Sequence, residues 1–390
     1  MLDYEFLSPA RIVFGWGRRR EIGSLAATLG RRAFAVVGSR TLLKLGVWDE
    51  LAAFLRIAGV EPVLAATLSR EPEPADVDAL AEQLRTADAG PGDCVLGLGG
   101  GSALDLAKAA AALATNRQGV GVRDFLEGVG RGLAITVAPL PMLAMPTTGG
   151  TGTEATKNAV LTSYDPPFKK SLRSPLMVPR VVLVDPELGV SVPRDTTAWT
   201  GMDAVTQLIE SYISRHAKPL PQALAVEGLR RALPLLGAVV RDGGHRPGRE
   251  ALAHAALQSG LALANSGLGF AHGVAAALGS VARVPHGLAC AAMLPVALRV
   301  NRAVAEAALA QLGREVLGVS TMNDAGAADA FIARIDELAA ELRIPTTLTA
   351  LGVRREQIPE LVIGSHGNSM NGNPRAISDD ELHAILEERL

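Results

Sequence analysis

Four polar side chains stand out from apolar surroundings in the second half of the chain: Asp203, Gln207, His272 and His286. The stretch Gly201-Met-Asp-Ala-Val-Thr-Gln-Leu-Ile-Glu210 reads as a helix start, and residues four apart on a helix share a face. Asp203 and Gln207 therefore point their oxygens the same way. His272 lies in the small, apolar run Gly269-Phe-Ala-His-Gly-Val-Ala-Ala-Ala-Leu-Gly279, and His286 sits between Pro285 and Gly287 in Arg283-Val-Pro-His-Gly-Leu-Ala-Cys290. Closed around one point, these groups would hold a metal ion. Each also has a plainer role open to it. A buried imidazole can bond a carbonyl, Thr200 and Asp203 have the spacing of a capping pair, and Gln207 can be an ordinary helix-surface residue.

The first half carries a different chemistry. In Asp93-Cys-Val-Leu-Gly-Leu-Gly-Gly-Gly-Ser-Ala-Leu-Asp-Leu-Ala-Lys108 an apolar strand runs into glycines and then an alanine-rich helix. Glycines let a backbone approach a pyrophosphate, and free N–H groups at a helix start stabilise its charge. Gly99, Gly100, Gly101 and Ser102 would form that cradle, the alternative being a tight turn without a ligand. A second cluster, Met145-Pro-Thr-Thr-Gly-Gly-Thr-Gly-Thr-Glu-Ala-Thr-Lys157, is too polar for a core. It suits either a ribose, amide or phosphate ligand or a solvated loop capped by its own threonines.

The elements that must position these groups follow from periodicity. Strand-like runs at Arg11–Gly17, Ala33–Gly38, Val63–Ala66 and Cys94–Leu98 alternate with amphipathic stretches at Leu51–Ala58 and Ala75–Ala87, the pattern of an open parallel sheet. A further strand, Val181-Val-Leu-Val, ends at Asp185-Pro186. From about Arg194 only Ala/Leu-rich helical patterns remain, as in Leu220–Val240, Glu250–Ala264 and Ala327–Leu342. The expected organisation is a dinucleotide-binding α/β domain over residues 1–190 and an all-helical domain over 191–390.

Composition narrows the partners. With 38 basic and 40 acidic residues and a formal net charge of -2, the 390-residue chain has no bias toward nucleic acid or an anionic membrane. A 48% hydrophobic content is ample for two cores. Cys94 and Cys290, the only cysteines, lack C-x-x-C spacing and read as small core residues. The N-terminal Met-Leu-Asp-Tyr-Glu-Phe lacks a basic-then-apolar leader, no apolar run is long enough to span a bilayer, and a cytoplasmic location is expected.

Taken together, the motifs resemble the iron-containing (group III) alcohol dehydrogenase family over nearly the whole chain. The matching residues are Phe14-Gly-Trp-Gly17, Gly99 to Lys108, Pro146 to Glu154, Ser174-Pro175, Val184-Asp-Pro186, Gly201-Met-Asp-Ala204 and Pro285-His-Gly287. The resemblance implies a Rossmann-like domain followed by a helical metal domain, a dehydroquinate synthase-like fold with NAD(P)(H) and a divalent metal, Fe2+ or Zn2+, in the cleft. By matched position, Asp203, His272 and His286 take metal-ligand places, and Gln207 stands where the family usually has a histidine. The cofactor phosphates fall on Gly99 to Ser102. Thr147, Thr148 and Lys169 fall near the nicotinamide and its ribose, and Asp105 beside the loop that it orients.

Three departures from the family pattern matter. Gln207 offers a neutral amide oxygen, a poorer donor than imidazole. Ala276 replaces a histidine that serves proton transfer in relatives, leaving water, a ribose hydroxyl or His366 for that task. Ser39 stands where NAD-preferring members carry an acid, and Arg40 beside it could pair a 2′-phosphate, which favours NADP(H). The expected reaction is reversible hydride transfer between nicotinamide and a small alcohol or aldehyde, with homodimers or larger homo-oligomers as in relatives. Its rivals are a metal-independent reductase of the maleylacetate reductase type, a dehydroquinate-synthase-like lyase, and a nucleotide-binding sensor with a decayed site.

Overall fold

The computed structural model describes residues 3–390; Met1 and Leu2, part of the stretch read for a leader, lie outside the described residues. Short apolar runs become strands β1 (Arg11–Phe14), β2 (Arg32–Val37), β3 (Glu61–Thr67), β4 (Asp93–Gly99), β5 (Met142–Pro146) and β8 (Val181–Val184). They form one parallel sheet in the order β1-β8-β5-β4-β2-β3. Every residue of β4, β5 and β8 is buried, because helices cover both faces. On one face Leu80, Leu84, Leu104 and Ala107 pack against Phe34 and Val95; on the other, Ile22, Leu25, Leu51 and Leu55 pack against Ala35 and Leu96.

Strand order sets the binding crevice. The chain runs outward from β2 to β3 and then returns to β4 on the opposite side of β2, so the direction of winding reverses between β2 and β4. Loops leaving two such strands at their carboxyl ends diverge and open a crevice. Gly38 and Gly99 to Ser102 lie there, at the ends of β2 and β4.

One element departs from the alternation. Strands β6 (Asn158–Tyr164) and β7 (Pro167–Arg173) form a separate antiparallel hairpin, with Thr162 opposite Lys169. Its mixed polar sequence carries no clean period-two signal, so pattern reading passes over it.

After β8 the chain is helical. Long helices span Arg194–Ile213, Pro219–Arg241, Arg246–Asn265, Phe270–Ala282, His286–Asn301 and Asp324–Glu341, around a core that includes Met202, Val205, Leu233, Leu236, Phe270 and Leu294. The expected helix start at Gly201 is corrected. The helix begins at Arg194 after Pro193, and the Thr200 hydroxyl donates to the Thr196 carbonyl at 2.8 Å, the bond of a residue inside a helix. Asp203 is therefore not a cap. Among the described residues no single helix is long and apolar enough to cross a membrane.

Candidate active site

The phosphate cradle is built on close backbone contact. Gly38 N–H donates to the Leu98 carbonyl at 2.7 Å, and Thr147 N–H to the Gly99 carbonyl at 2.9 Å, so three loops meet at the end of β4. Gly99 has φ +154, and a Cβ there would lie 2.7 Å from the Gly38 Cα. No other residue meets both demands. Gly100 precedes the helix Gly101–Thr115, whose free N–H groups face the crevice. Ser39 accepts from Leu42 N–H at 3.4 Å and caps the short helix that begins at Arg40, which is exposed.

The threonine-rich loop is not the solvated loop that was one of its two expected forms. Thr153, Glu154 and Thr156 are buried. Polar backbone can be buried here because the Lys108 ammonium donates to the carbonyls of Thr153 (2.7 Å), Thr156 (2.9 Å) and Asn158 (2.7 Å). Asp105, one turn before Lys108, is also buried, and burial pushes its carboxyl up to about 7. Burial likewise raises Glu154 to about 7. The same loop spans the two halves: a Cβ on Gly100 would lie 3.3 Å from Thr148, and one on Gly150 would lie 2.7 Å from Thr200, one turn before Asp203.

The hairpin reaches the helical half from the other side. Lys169 pairs with Glu71 at 2.5 Å, and Thr162 donates to the same carboxylate at 2.5 Å. Burial alone would raise the Glu71 carboxyl, but the Lys169 charge holds it below the usual range. The Lys169 ammonium lies 3.5 Å from the Cβ position of Gly279, two turns beyond His272 on the helix Phe270–Ala282.

Asp203, His272 and His286 converge from three helices. His272 Nε2 lies 3.2 Å from Asp203 Oδ1 and His286 Nε2 lies 4.0 Å from the same oxygen, with the imidazole centroids 5.7 Å apart. The helix that starts at His286 comes this close because residue 287 is glycine: a Cβ there would stand 2.8 Å from the Trp199 carbonyl. Cys290, one turn after His286, completes the group. Donor atoms of Asp203, His272, His286 and Cys290 all lie within 4.8 Å of one another. The expectation of Cys290 as a plain core residue is thus incomplete, since its sulfur faces the histidines.

Gln207 is buried on the same helix face as Asp203, and its Oε1 accepts from the Ser259 hydroxyl at 2.9 Å. His366 pairs with Asp379 at 2.8 Å on the surface and is not among the four converging groups.

Glu210 is the residue that sequence reading missed. It accepts from Ala271 N–H at 2.6 Å and faces His272 Nδ1 at 2.7 Å, so it caps the helix start and fixes the ring with Nε2 toward Asp203. A signal was present: Glu210 follows Asp203 by seven residues, two turns along the same face.

The electrostatics fit a cation position. Asp203 is 1% exposed and His272 is 4% exposed, yet among the described residues neither carboxylate oxygen of Asp203 nor the Nε2 of His272 has a hydrogen-bond partner; the 3.2 Å approach is not aligned for one. Burial pushes the Asp203 carboxyl up, and the facing His286 and His272 outweigh this and bring it down to about 2. Burial and the nearby Lys169 charge lower His286 to about 4. Burial disfavours a charge on His272, but contacts with Cys290, Asp203 and Glu210 raise it well above the ordinary range. Buried anionic oxygen and imidazole nitrogen without partners, aimed at common space, are the donor set that a divalent ion requires.

Comparison with known proteins identifies the family. The profile described as iron-containing alcohol dehydrogenase matches residues 9–186, and that of the Fe-containing alcohol dehydrogenase family C-terminal part matches residues 197–390. The chain belongs to the iron-containing alcohol dehydrogenase family. The NAD-dependent methanol dehydrogenase of Bacillus methanolicus is 30% identical, with 99% of each chain covered. The 1,3-propanediol dehydrogenase of Klebsiella pneumoniae is 32% identical over 99% of this chain and 98% of its own. A solved 1,3-propanediol oxidoreductase shares the fold with a TM-score of 0.91 at 29% identity, both chains covered fully. This family member is an oxidoreductase, a metal-dependent, NAD(P)-linked alcohol dehydrogenase or aldehyde reductase with the α/β-plus-helical fold that the sequence implied.

Proposed function

We propose that Asp203, His272 and His286 hold the divalent ion, and that the enzyme exchanges hydride between NADP(H) and a small primary alcohol or its aldehyde. The observation that carries this reading is the group of unpartnered buried atoms on Asp203 and His272. When bound, the ion supplies Lewis acidity toward the substrate oxygen and the nicotinamide supplies or accepts the hydride.

The chain's own residues do the rest. Glu210 accepts from His272 Nδ1 and so holds a proton there, leaving the Nε2 proton as the one that a bound cation would displace. Gly99 to Ser102 bring backbone N–H groups against the cofactor phosphates, while Lys108 holds the neighbouring loop from behind, with Asp105 buried one turn before it. Thr147 and Thr148 lie between cradle and metal helix, where a nicotinamide ribose would run, and Lys169 with Glu71 offers a charged pair beside His286. Ser39 leaves the ribose 2′ position free of an acid, and the exposed Arg40 is available to a 2′-phosphate. Residues 1–190 then serve as the cofactor domain and 191–390 as the metal and substrate domain, in a cytoplasmic enzyme.

Oxidation of NADPH and NADH with short aldehydes, before and after exhaustive chelation, tests the proposal. Loss of turnover on chelation with recovery on adding Zn2+ or Fe2+ is expected. Full activity in metal-free protein would overturn it.

A further inference from the structure

The metal reading leaves a fourth donor unassigned, and two side chains compete for it. Gln207 occupies the expected place, but its amide is a neutral donor, and its oxygen shares the Ser259 hydroxyl at 2.9 Å with the Ala256 carbonyl at 2.8 Å. Cys290 is fully buried, and its Sγ lies 3.7 Å from His286 Nε2. It shares a helix face with His286, as Gln207 does with Asp203.

Distances discriminate further. A tetrahedral ion with metal–sulfur bonds of about 2.3 Å and metal–nitrogen bonds of about 2.0–2.1 Å sets ligand-to-ligand edges of roughly 3.3–3.6 Å. The separations of 3.2 Å from His272 Nε2 to Asp203 Oδ1, 3.7 Å from Cys290 Sγ to His286 Nε2 and 4.0 Å from His286 Nε2 to Asp203 Oδ1 run from slightly below to above such edges. Sγ also lies 3.9 Å from His286 Nδ1, so closure on an ion requires a small turn of the His286 ring. The empty lone pairs of Asp203 and His272 are an independent sign of an ion at the centre of this group.

Resting on the metal reading above, we propose that Cys290 is the fourth metal ligand of this enzyme, giving an Asp203–His272–His286–Cys290 site in which Gln207 does not ligate. Binding replaces the S–H bond with an S–metal bond and releases the proton to solvent, since a coordinating thiol is deprotonated outright. Two anionic ligands then neutralise the formal charge of a divalent ion, the soft sulfur favours zinc over iron(II), and the substrate oxygen would enter as a fifth ligand.

Cobalt(II) reports the ligand directly. Metal-free enzyme titrated with cobalt chloride should bind one equivalent with a near-ultraviolet thiolate-to-cobalt charge-transfer band. The band should persist in Cys94→Ala and Gln207→Ala and vanish in Cys290→Ser. Cobalt affinity should fall about 100-fold in Cys290→Ser, the share of one ligand in a four-ligand site, and change little in Gln207→Ala. Stoichiometric cobalt binding by the unaltered enzyme without the band would overturn the assignment whether or not any variant folds. So would loss of binding in Gln207→Ala together with wild-type affinity in Cys290→Ser. Failure of the parent reading looks different: no saturable cobalt uptake at all, or uptake unchanged in Asp203→Ala.

Discussion

Replacing Glu210 by glutamine should weaken metal binding without dissolving the fold. The carboxylate accepts from Ala271 N–H at 2.6 Å and from the His272 ring at 2.7 Å. A glutamine has one acceptor and one donor end. If its oxygen keeps the Ala271 bond, its NH2 faces Nδ1, and the ring must move its proton to Nε2, the nitrogen turned toward Asp203. If the amide turns round, its NH2 opposes Ala271 N–H and leaves buried donors unmatched, at about 1–3 kcal/mol. Loss of such a supporting partner weakens metal affinity by about 10–100-fold. Competition with a chromophoric chelator measures the affinity, and circular dichroism with a melting curve checks the fold. Wild-type affinity in a folded Glu210→Gln protein would refute the claim that Glu210 sets the ring's tautomer.

Further outcomes follow from other parts of the molecule. Ser39→Asp should keep its helix cap, since Asp caps as well as Ser, yet lower the NADPH-to-NADH ratio of kcat/KM by about tenfold or more through repulsion of the 2′-phosphate; an unchanged ratio would remove Ser39 from the adenosine site. Gly99→Ala should abolish soluble folded protein or cofactor binding, because its Cβ would stand 2.7 Å from the Gly38 Cα at φ +154, and a variant with normal cofactor affinity in a fluorescence titration would contradict the cradle. For Glu154 the folded value of about 7 exceeds the ordinary carboxylate value, so the folded state binds more protons between the two. Its stabilising share is therefore full below about pH 4.5 and is lost as pH rises through about 7. Glu154→Gln should flatten that part of the stability profile in melts run from pH 4.5 to 8, and an unchanged slope would count against it.

Much of the architecture was legible because apolar runs and glycine punctuation are local signals. The strands β2, β4 and β8, and the helix holding His272, follow from them. The convergence of Asp203, His272 and His286 came from resemblance rather than periodicity, since nothing local relates residues some seventy apart. What escaped reading depends on packing. Glu210 looked like one more helix residue until the start of another helix was seen against it. Cys290 passed as core because a small, soft, apolar-flanked side chain reads as core whichever groups its sulfur faces. The hairpin bearing Lys169 alternates too poorly to be read, and the threonine loop stays open between a ligand site and a solvated loop unless Lys108 is known to satisfy its carbonyls. The start at Arg194 was displaced to Gly201 because Thr200 and Asp203 mimic a capping pair, although the Thr200 hydroxyl bonds back to Thr196.

Anomalous diffraction from crystals of the metal-loaded enzyme, recorded on either side of the zinc and iron absorption edges, tests the central claim most directly. The account predicts one strong peak within about 2.0–2.3 Å of Asp203, His272 and His286 donor atoms, lost in Asp203→Ala. No peak there in crystals of active enzyme, or a peak held by other residues, would contradict it.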